Sequence, residues 1–331
     1  MKIIVFRFDR IGDFLVSSLL INNLKLKNKD LKITVVCSDK NFLYVKNSRL
    51  VDNALLLPNN IFKRLLFYLK ILRKKYDVSI VLDGKKKSIL TSILLKSKNK
   101  ILVTNKNIYK KLLSVFFTKI FYILPNETKI FELEKVSEYL NYNFERKNTK
   151  YKNLNNLVNK NLINFIDNIK SYNIFHLDEK WIFNDYIDTY SNIEPSEKDL
   201  MVFLKNLSNK TNKNLLITCG GSKNYLIDFI KSNSSIVEEN IYKLNSYVNN
   251  LFIVDNIDIF NLEYIISHSS SIITCEGTPS HLANMYDKNM IIVIDKTEER
   301  IFKNWTYHFT NYKLIHRTNF NDISHQILAM F

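Results

Sequence analysis

The sequence has little glycine, 5 residues among 331, and little cysteine, 3 residues. Cys37, Cys219 and Cys275 are odd in number and widely spaced, which excludes a disulfide framework and a cysteine metal site and fits a reducing, cytoplasmic compartment. No apolar run reaches the roughly 18 residues of a membrane span. The longest, near Leu112 to Leu124, is broken by Lys119. Arg7, Asp9, Arg10 and Asp13 interrupt the apolar start before it attains signal-peptide length, so no export signal is expected. The chain should be soluble and meet a membrane only from its surface. His176, His268, His308, His316 and His325 have no metal-ligand spacing, no Ser-His-Asp set can be read, and no metal is expected. Aromatic residues, 13% of the chain, follow core spacing without the signatures of an RNA reader, so nucleic acid is not an expected partner.

What is present is enough apolar material, 46% of residues, to bury a core in two domains. The net charge of +16 is unevenly distributed. Residues 1–150 hold 31 Lys and Arg against 12 Asp and Glu, a balance of +19, whereas residues 151–331 hold 17 against 20, or −3. Both halves are rich in asparagine, so a compositional bias toward lysine alone would have loaded both. The asymmetry suggests that the first half faces something anionic, the alternative being a lysine-rich solvated surface.

Short β-branched runs alternate with helical stretches, the signature of parallel βαβ units. In the first half the strands are expected at 2–7, 33–37, 53–57, 78–82 and 101–103, with helices at 13–27, 61–75 and 88–95. Residues 144–168 are polar and asparagine-rich, marking the crossing between a domain at 1–155 and one at 156–331. Strands then recur at 172–176, 215–219, 251–254, 271–274 and 290–294, with helices at 197–207, 259–267 and 280–286. All five glycines, Gly12, Gly84, Gly220, Gly221 and Gly277, fall just beyond an expected strand, at the carboxyl ends where open α/β sheets bind ligands.

Two segments carry chemistry. In Arg7-Phe8-Asp9-Arg10-Ile11-Gly12-Asp13, Gly12 permits a tight turn or close approach of a ligand, and Asp13 sits at a helix start. Asp13 is either a helix N-cap or a base able to take a proton from a sugar hydroxyl. In Thr274-Cys275-Glu276-Gly277-Thr278-Pro279-Ser280-His281, a strand runs into a helix whose free N–H groups suit a diphosphate, with His281 one turn in and Glu276 placed for ribose hydroxyls or for ordering the loop. A third feature is Lys85-Lys86-Lys87 directly after Gly84, preceded by Lys63, Arg64, Lys70, Arg73, Lys74 and Lys75 on a basic helix. That helix is either a solvated outer layer or a surface against anionic lipid, where each basic residue contributes ~1 kcal/mol.

Both segments resemble glycosyltransferase family 9. Its N-terminal pattern, approximately Arg-x-Asp-x-x-Gly-Asp, is matched by Arg7, Asp9, Gly12 and Asp13, and its C-terminal pattern, approximately Asp-Thr-Gly-Pro-x-His-Leu-Ala, by Glu276 to Ala283. Glu276 replaces the aspartate, and Gly277-Thr278 inverts the small residue and the glycine. Tyr76-Asp77-Val78 through Gly84, Lys180-Trp181 and Trp305 extend the similarity, Trp305 resembling a late tryptophan near the nucleotide loop.

The resemblance implies a GT-B fold, two Rossmann-like domains with mainly parallel sheets facing a central cleft. It implies an inverting, metal-independent heptosyltransferase-like enzyme without a cofactor. Its donor would be ADP-heptose or another nucleotide diphosphate sugar, and its acceptor an anionic glycolipid of the lipopolysaccharide core or lipid A type. Asp13 would be the base. Lys180, Glu276, Gly277, Thr278, Ser280 and His281 would bind the donor, and Arg10, Gly12, Lys85, Lys86 and Lys87 the acceptor. Peripheral contact with the cytoplasmic face of the inner membrane follows from such an acceptor. The alternatives are a relative using another donor for a different envelope glycan, and a non-catalytic nucleotide- or glycan-binding relative.

Overall fold

The computed structural model describes residues 1–146, 150–151, 157–222, 224–244 and 250–331. The chain divides into two compact units, Met1–Asn155 with Lys303–His308, and Asn156–Phe302 with Phe309–Phe331. The return of Lys303–His308 to the first unit is absent from the sequence reading.

In unit 1, β1 (Lys2–Arg7), β2 (Lys32–Cys37), β3 (Asn53–Leu56), β4 (Lys75–Val81), β5 (Lys96–Thr104) and β6 (Lys119–Tyr122) form one parallel sheet in the order β3-β2-β1-β4-β5-β6. Ile3 of β1 lies between Ile33 of β2 and Val78 of β4, and all three are buried, as expected of a sheet covered on both faces. The connections are α1 (Ile11–Lys27), α2 (Phe42–Lys46), α3 (Ile61–Leu72), α4 (Lys86–Leu94) and α5 (Asn107–Leu112), followed by α6 (Lys129–Tyr139) after β6. Helix α1 is buried without a break from Phe14 to Leu24. Helix α3 buries only Ile71 and ends at Leu72, three residues short of the expectation. Lys75 instead opens β4, because Tyr76 must turn into the core and Lys75 pairs with Lys96 in the sheet.

Unit 2 opens with α7 (Lys160–Ile169), which occupies part of the expected crossing at 144–168. Leu162, Phe165 and Ile166 recur at helical spacing and are buried, and Asn159 caps the helix, so the asparagines there serve as caps and outer face. The rest of that crossing, at 147–149 and 152–156, lies outside the described residues.

Strands β7 (Tyr172–His176), β8 (Asn214–Thr218), β9 (Ser234–Glu238), β10 (Ile241–Leu244), β11 (Leu251–Val254), β12 (Ser271–Cys275), β13 (Asn289–Ile294) and β14 (Tyr312–His316) form a sheet ordered β14-β13-β12-β7-β8-β11-β10-β9. It is parallel except for β9 and β10, which close one edge as an antiparallel hairpin. Helices α8 (Glu197–Thr211), α9 (Tyr225–Ser232), α10 (Ile259–His268), α11 (Thr278–Met285), α12 (Glu299–Thr306) and α13 (Phe320–Ala329) complete the unit, with α12 running across into unit 1 at Lys303. One core cluster joins Phe175, Trp181, Phe203 and Phe320, whose rings meet edge to face.

Each sheet has a switch point. In unit 1 the chain leaves β1 toward β2 and β3 and returns on the other side as β4; in unit 2 it leaves β7 toward β8 and returns on the other side as β12. The crevices beyond β1/β4 and β7/β12 are therefore where ligands of such sheets bind.

Candidate active-site residues at the two switch points

Beyond β1 and β4, the Arg7 side chain is almost fully buried. Its guanidinium donates to the carbonyls of Leu82 at 3.1 Å and Asp13 at 3.2 Å, and lies 3.4 Å from Asp9 and 3.5 Å from Asp13. A buried cation needs such partners. The ring of Trp305 covers it, with the guanidinium carbon 5.7 Å from the centroid, and Lys129 Nζ lies 4.9 Å from the same ring. Trp305 thus belongs to unit 1 and to the Arg7 cluster.

Asp13 is not the N-cap of α1. Arg10 is, and the Asp13 carboxylate, at the third helical position, accepts from the Arg10 N–H at 3.0 Å. Its side chain remains 25% exposed and so open to a substrate. Gly12, the second residue of α1, has no left-handed conformation, so what it offers is space rather than a turn.

Asp83 ends the opposite side of the crevice. It accepts from Phe8 N at 3.0 Å, Ser88 Oγ at 2.7 Å and Lys85 N at 3.0 Å, tying the exit of β1 to the start of α4, while burial raises its pKa. Gly84 follows in the left-handed region at φ +57°, a conformation that favours glycine. Lys85 is the N-cap of α4 and pairs with Asp9, and Lys86 and Lys87 fill the exposed first turn. Cations at a helix N-terminus oppose the macrodipole, at a cost of ~0.3–1 kcal/mol each, so this placement favours an anion nearby. Lys85, Lys86, Lys106 and Lys129 line a cavity of about 460 Å³ whose floor includes buried Glu132. Neither Asp9 nor Asp83 stood among the expected site residues, although the four charges within Arg7 to Asp13 at a strand end were a signal for Asp9.

Beyond β7 and β12 the second cluster forms around Lys180, in the 3-10 turn Glu179–Trp181, and it is 8% exposed. Its Nζ donates to the Glu276 carbonyl, lies 3.5 Å from Glu276 Oε1 and sits 4.7 Å from the centroid of Tyr186. Burial opposes the charge, but the carboxylates of Glu276 and Asp178 outweigh it and raise the pKa, so Lys180 remains an ammonium. Arg317, also buried, donates to the Lys180 carbonyl at 2.7 Å and to Cys275 Sγ at 3.4 Å, and stacks under Tyr190. It lies just beyond β14 with no neighbouring motif to mark it in the sequence.

Gly277 has φ +144°, and a Cβ on it would stand 2.8 Å from Lys180 Nζ; the glycine is what admits the lysine to the start of α11. Of the N–H groups there, Pro279 has none, that of Gly277 donates to Ser280 Oγ, and that of His281 to the Gly277 carbonyl. The expected cradle of several donors thus narrows to Thr278 and Ser280. The Ser280 side chain is fully buried and its hydroxyl donates to Gly277 at 2.8 Å, so it shapes the turn instead of touching a ligand. Thr278 and His281 are partly exposed, the latter packed edge-on against Phe309. Glu276 accepts from the Tyr190 hydroxyl at 3.5 Å and leaves its buried Oε2 without a hydrogen bond among the described residues. A cavity of about 550 Å³ in this unit opens at the opposite, amino ends of β7, β12, β13 and β14 and takes no part in the cluster.

No protein-family model and no curated protein matches the sequence. Solved structures are. The E. coli heptosyltransferase WaaC with ADP-2-deoxy-2-fluoro heptose is similar over all of both chains, with a TM-score of 0.68 and 13% identity. A glycosyl transferase of family 9 from Veillonella parvula is similar over 99% of this chain and 88% of its own, with a TM-score of 0.69 and 11% identity. The UDP-GlcNAc 2-epimerase from Methanocaldococcus jannaschii, similar over 100% and 92%, has a TM-score of 0.51 and 14% identity. The chain has the GT-B fold of the heptosyltransferases and of family 9.

Proposed function

We propose that the protein is a glycosyltransferase that moves a sugar, heptose in the first instance, from a nucleotide diphosphate donor to an anionic glycolipid of the lipopolysaccharide core or lipid A type. The observation that carries the reading is Lys180. A buried ammonium is held against the N-terminus of a helix, at a sheet switch point, by a glycine that leaves it room. Two sources of positive potential converging there suit a diphosphate better than any uncharged ligand.

In this reading the diphosphate lies across Thr278 and Ser280 N–H with Lys180, while Glu276 orders the loop and faces the ribose. As the bond to the anomeric carbon breaks, the charge growing on the departing phosphate is met by groups already in place, the form of stabilisation that lowers barriers most. Asp13 takes the proton from the acceptor hydroxyl as that oxygen attacks the carbon from the opposite side, inverting it. Arg10, Lys85, Lys86 and Lys87 hold the acceptor's anionic groups, and Arg7 fixes Asp13.

The test is transfer from ADP-heptose to a lipid A-type acceptor by the parent protein and by Asp13→Ala. Loss of a general base lowers the rate ~10²–10⁴-fold, with nucleotide binding retained. Transfer that survives in Asp13→Ala removes the base assignment. Because a similar structure bears the name of an epimerase, the products are analysed without acceptor as well. A change in the sugar of the donor, with no acceptor required, favours that other reading.

A further inference from the structure

Helices α3, α4 and α5 cover one face of the unit 1 sheet, packing Phe67, Ile71, Ile89, Ile93, Tyr109 and Leu113 onto a common cluster. A surface helix ordinarily turns its polar residues outward. Here the outer side of α3 carries Phe62 at 80%, Leu66 at 66% and Leu69 at 51% exposure. On α5, Ile108 and Leu112 are 62% exposed each, and Val115, just after it, is 82% exposed. Large apolar side chains gathered on one side of one unit mark a binding surface.

The charge around them has one sign. From Asn53 to Tyr76 and from Gly84 to Asn126 the sequence contains 16 lysines and arginines and no aspartate or glutamate. This accounts for most of the excess in the first half. Two copies of such a face would oppose like charges, which disfavours self-association. Basic residues around exposed leucine and phenylalanine suit a surface that is apolar beneath and anionic on top.

We propose that the outer side of α3, α4 and α5 docks onto an anionic lipid bilayer, inserting Phe62, Leu66 and Val115 among the acyl chains while the lysines meet lipid phosphates. The sequence suggested lipid contact for residues 61–75, and the resemblance peripheral membrane contact without a surface; the structure adds α5 and the loop after it. Helices α3, α4 and α5 each begin at the carboxyl edge of the sheet, where Lys106, the N-cap of α5, also lines the 460 Å³ cavity. An acceptor anchored in the bilayer would reach that cavity with its head group without leaving the membrane. This delivery rests on the transfer reading; the docking does not.

The test is flotation of the full chain with vesicles of phosphatidylcholine alone or mixed with phosphatidylglycerol, alongside Leu66→Glu/Val115→Glu. Both substituted positions face outward, and an unchanged thermal midpoint certifies the fold. The parent protein is expected to float only with phosphatidylglycerol, less so at high salt, and the variant to bind at least tenfold more weakly. Its nucleotide binding, and its transfer to a detergent-dispersed acceptor, should be unchanged. A parent protein that stays in solution with anionic vesicles, or a variant that floats equally well, overturns the proposal. So does a concentration-dependent dimer that the variant abolishes, which would make the face an interface between copies.

Discussion

The turns after β4 and β12 solve one backbone problem in the same way and supply charge in opposite ways. Each places an acid, then a glycine with positive φ, then a helix: Asp83-Gly84 before α4 and Glu276-Gly277 before α11. After Gly84 the positive charge is local, three lysines in succession, exposed and partly paired with Asp9. After Gly277 the helix start is uncharged, and the cation arrives from Lys180, far away in sequence and buried. The acids differ accordingly. Asp83 accepts three hydrogen bonds and braces the fold, whereas Glu276 holds Lys180 and keeps one oxygen unbonded. In the proposed function a local, solvated cluster would tolerate varied anions, and a single buried cation would fix one.

The contrast is sharpest for Lys180→Met against Lys85→Met. A charge-assisted hydrogen bond contributes ~1.5–3 kcal/mol, so Lys180→Met should weaken nucleoside diphosphate binding ~10–100-fold at 1.4 kcal/mol per tenfold. Lys85→Met should leave it within about threefold. Calorimetric titration separates them.

The two glycines break the comparison differently. Each alanine substitution meets backbone strain of ~1–3 kcal/mol, read as a lowered thermal midpoint. A Cβ on Gly84 would meet Val103 O at 3.4 Å, so only stability should fall. A Cβ on Gly277 would reach 2.8 Å from Lys180 Nζ, so diphosphate binding should fall with it. Equal binding in both variants would separate Gly277 from the lysine.

Each unit also has a histidine whose pKa burial lowers to about 4, the buried His176 in unit 2 and the partly buried His308 in unit 1. The unfolded value is ~6.5. A depressed histidine favours the fold only while neutral, so stability is full above pH ~6.5 and falls as the pH drops from there toward 4, by ~1.4 kcal/mol per unit and group at most. Replacing either by Gln should flatten that slope by one proton in denaturant titrations.

A smaller effect belongs to Asp295, beyond β13. Burial would raise its pKa, but the N–H groups of Ser191 and Thr297 hold it at about 2. The stability it supplies is present above the unfolded value of ~3.9 and lost as the pH falls toward 2. Asp295→Ala should cost ~0.5–2 kcal/mol near neutrality, as for other lost caps, and less at pH 3.

Ten of the fourteen strands among the described residues, all but β6, β9, β10 and β14, were legible in the sequence because most are β-branched and buried on both sides, as at Ile3–Phe6 and Ile272–Thr274. The hairpin of β9 and β10 was not, since Ile236 and Val237 point outward and leave no alternation to follow. Asp13, Gly277 and the lysines after Gly84 could be named because their strand ends mark them locally. Lys180 came from resemblance alone, and Arg317 from neither route: their meeting with Cys275 and Glu276 depends on β7, β12, β13 and β14 lying side by side. Asp13 as third helical residue was also hidden, since an arginine at the N-cap gives no capping signal.

The most direct test of the central claim is the thermal midpoint of the parent protein and of Lys180→Met with ADP, UDP, GDP and CDP in turn, since a ligand bound only by the native state raises it. One nucleoside diphosphate, ADP first, is expected to raise the midpoint of the parent protein, and the shift should largely disappear in Lys180→Met. No shift with any of the four, or an equal shift in the variant, would contradict that claim.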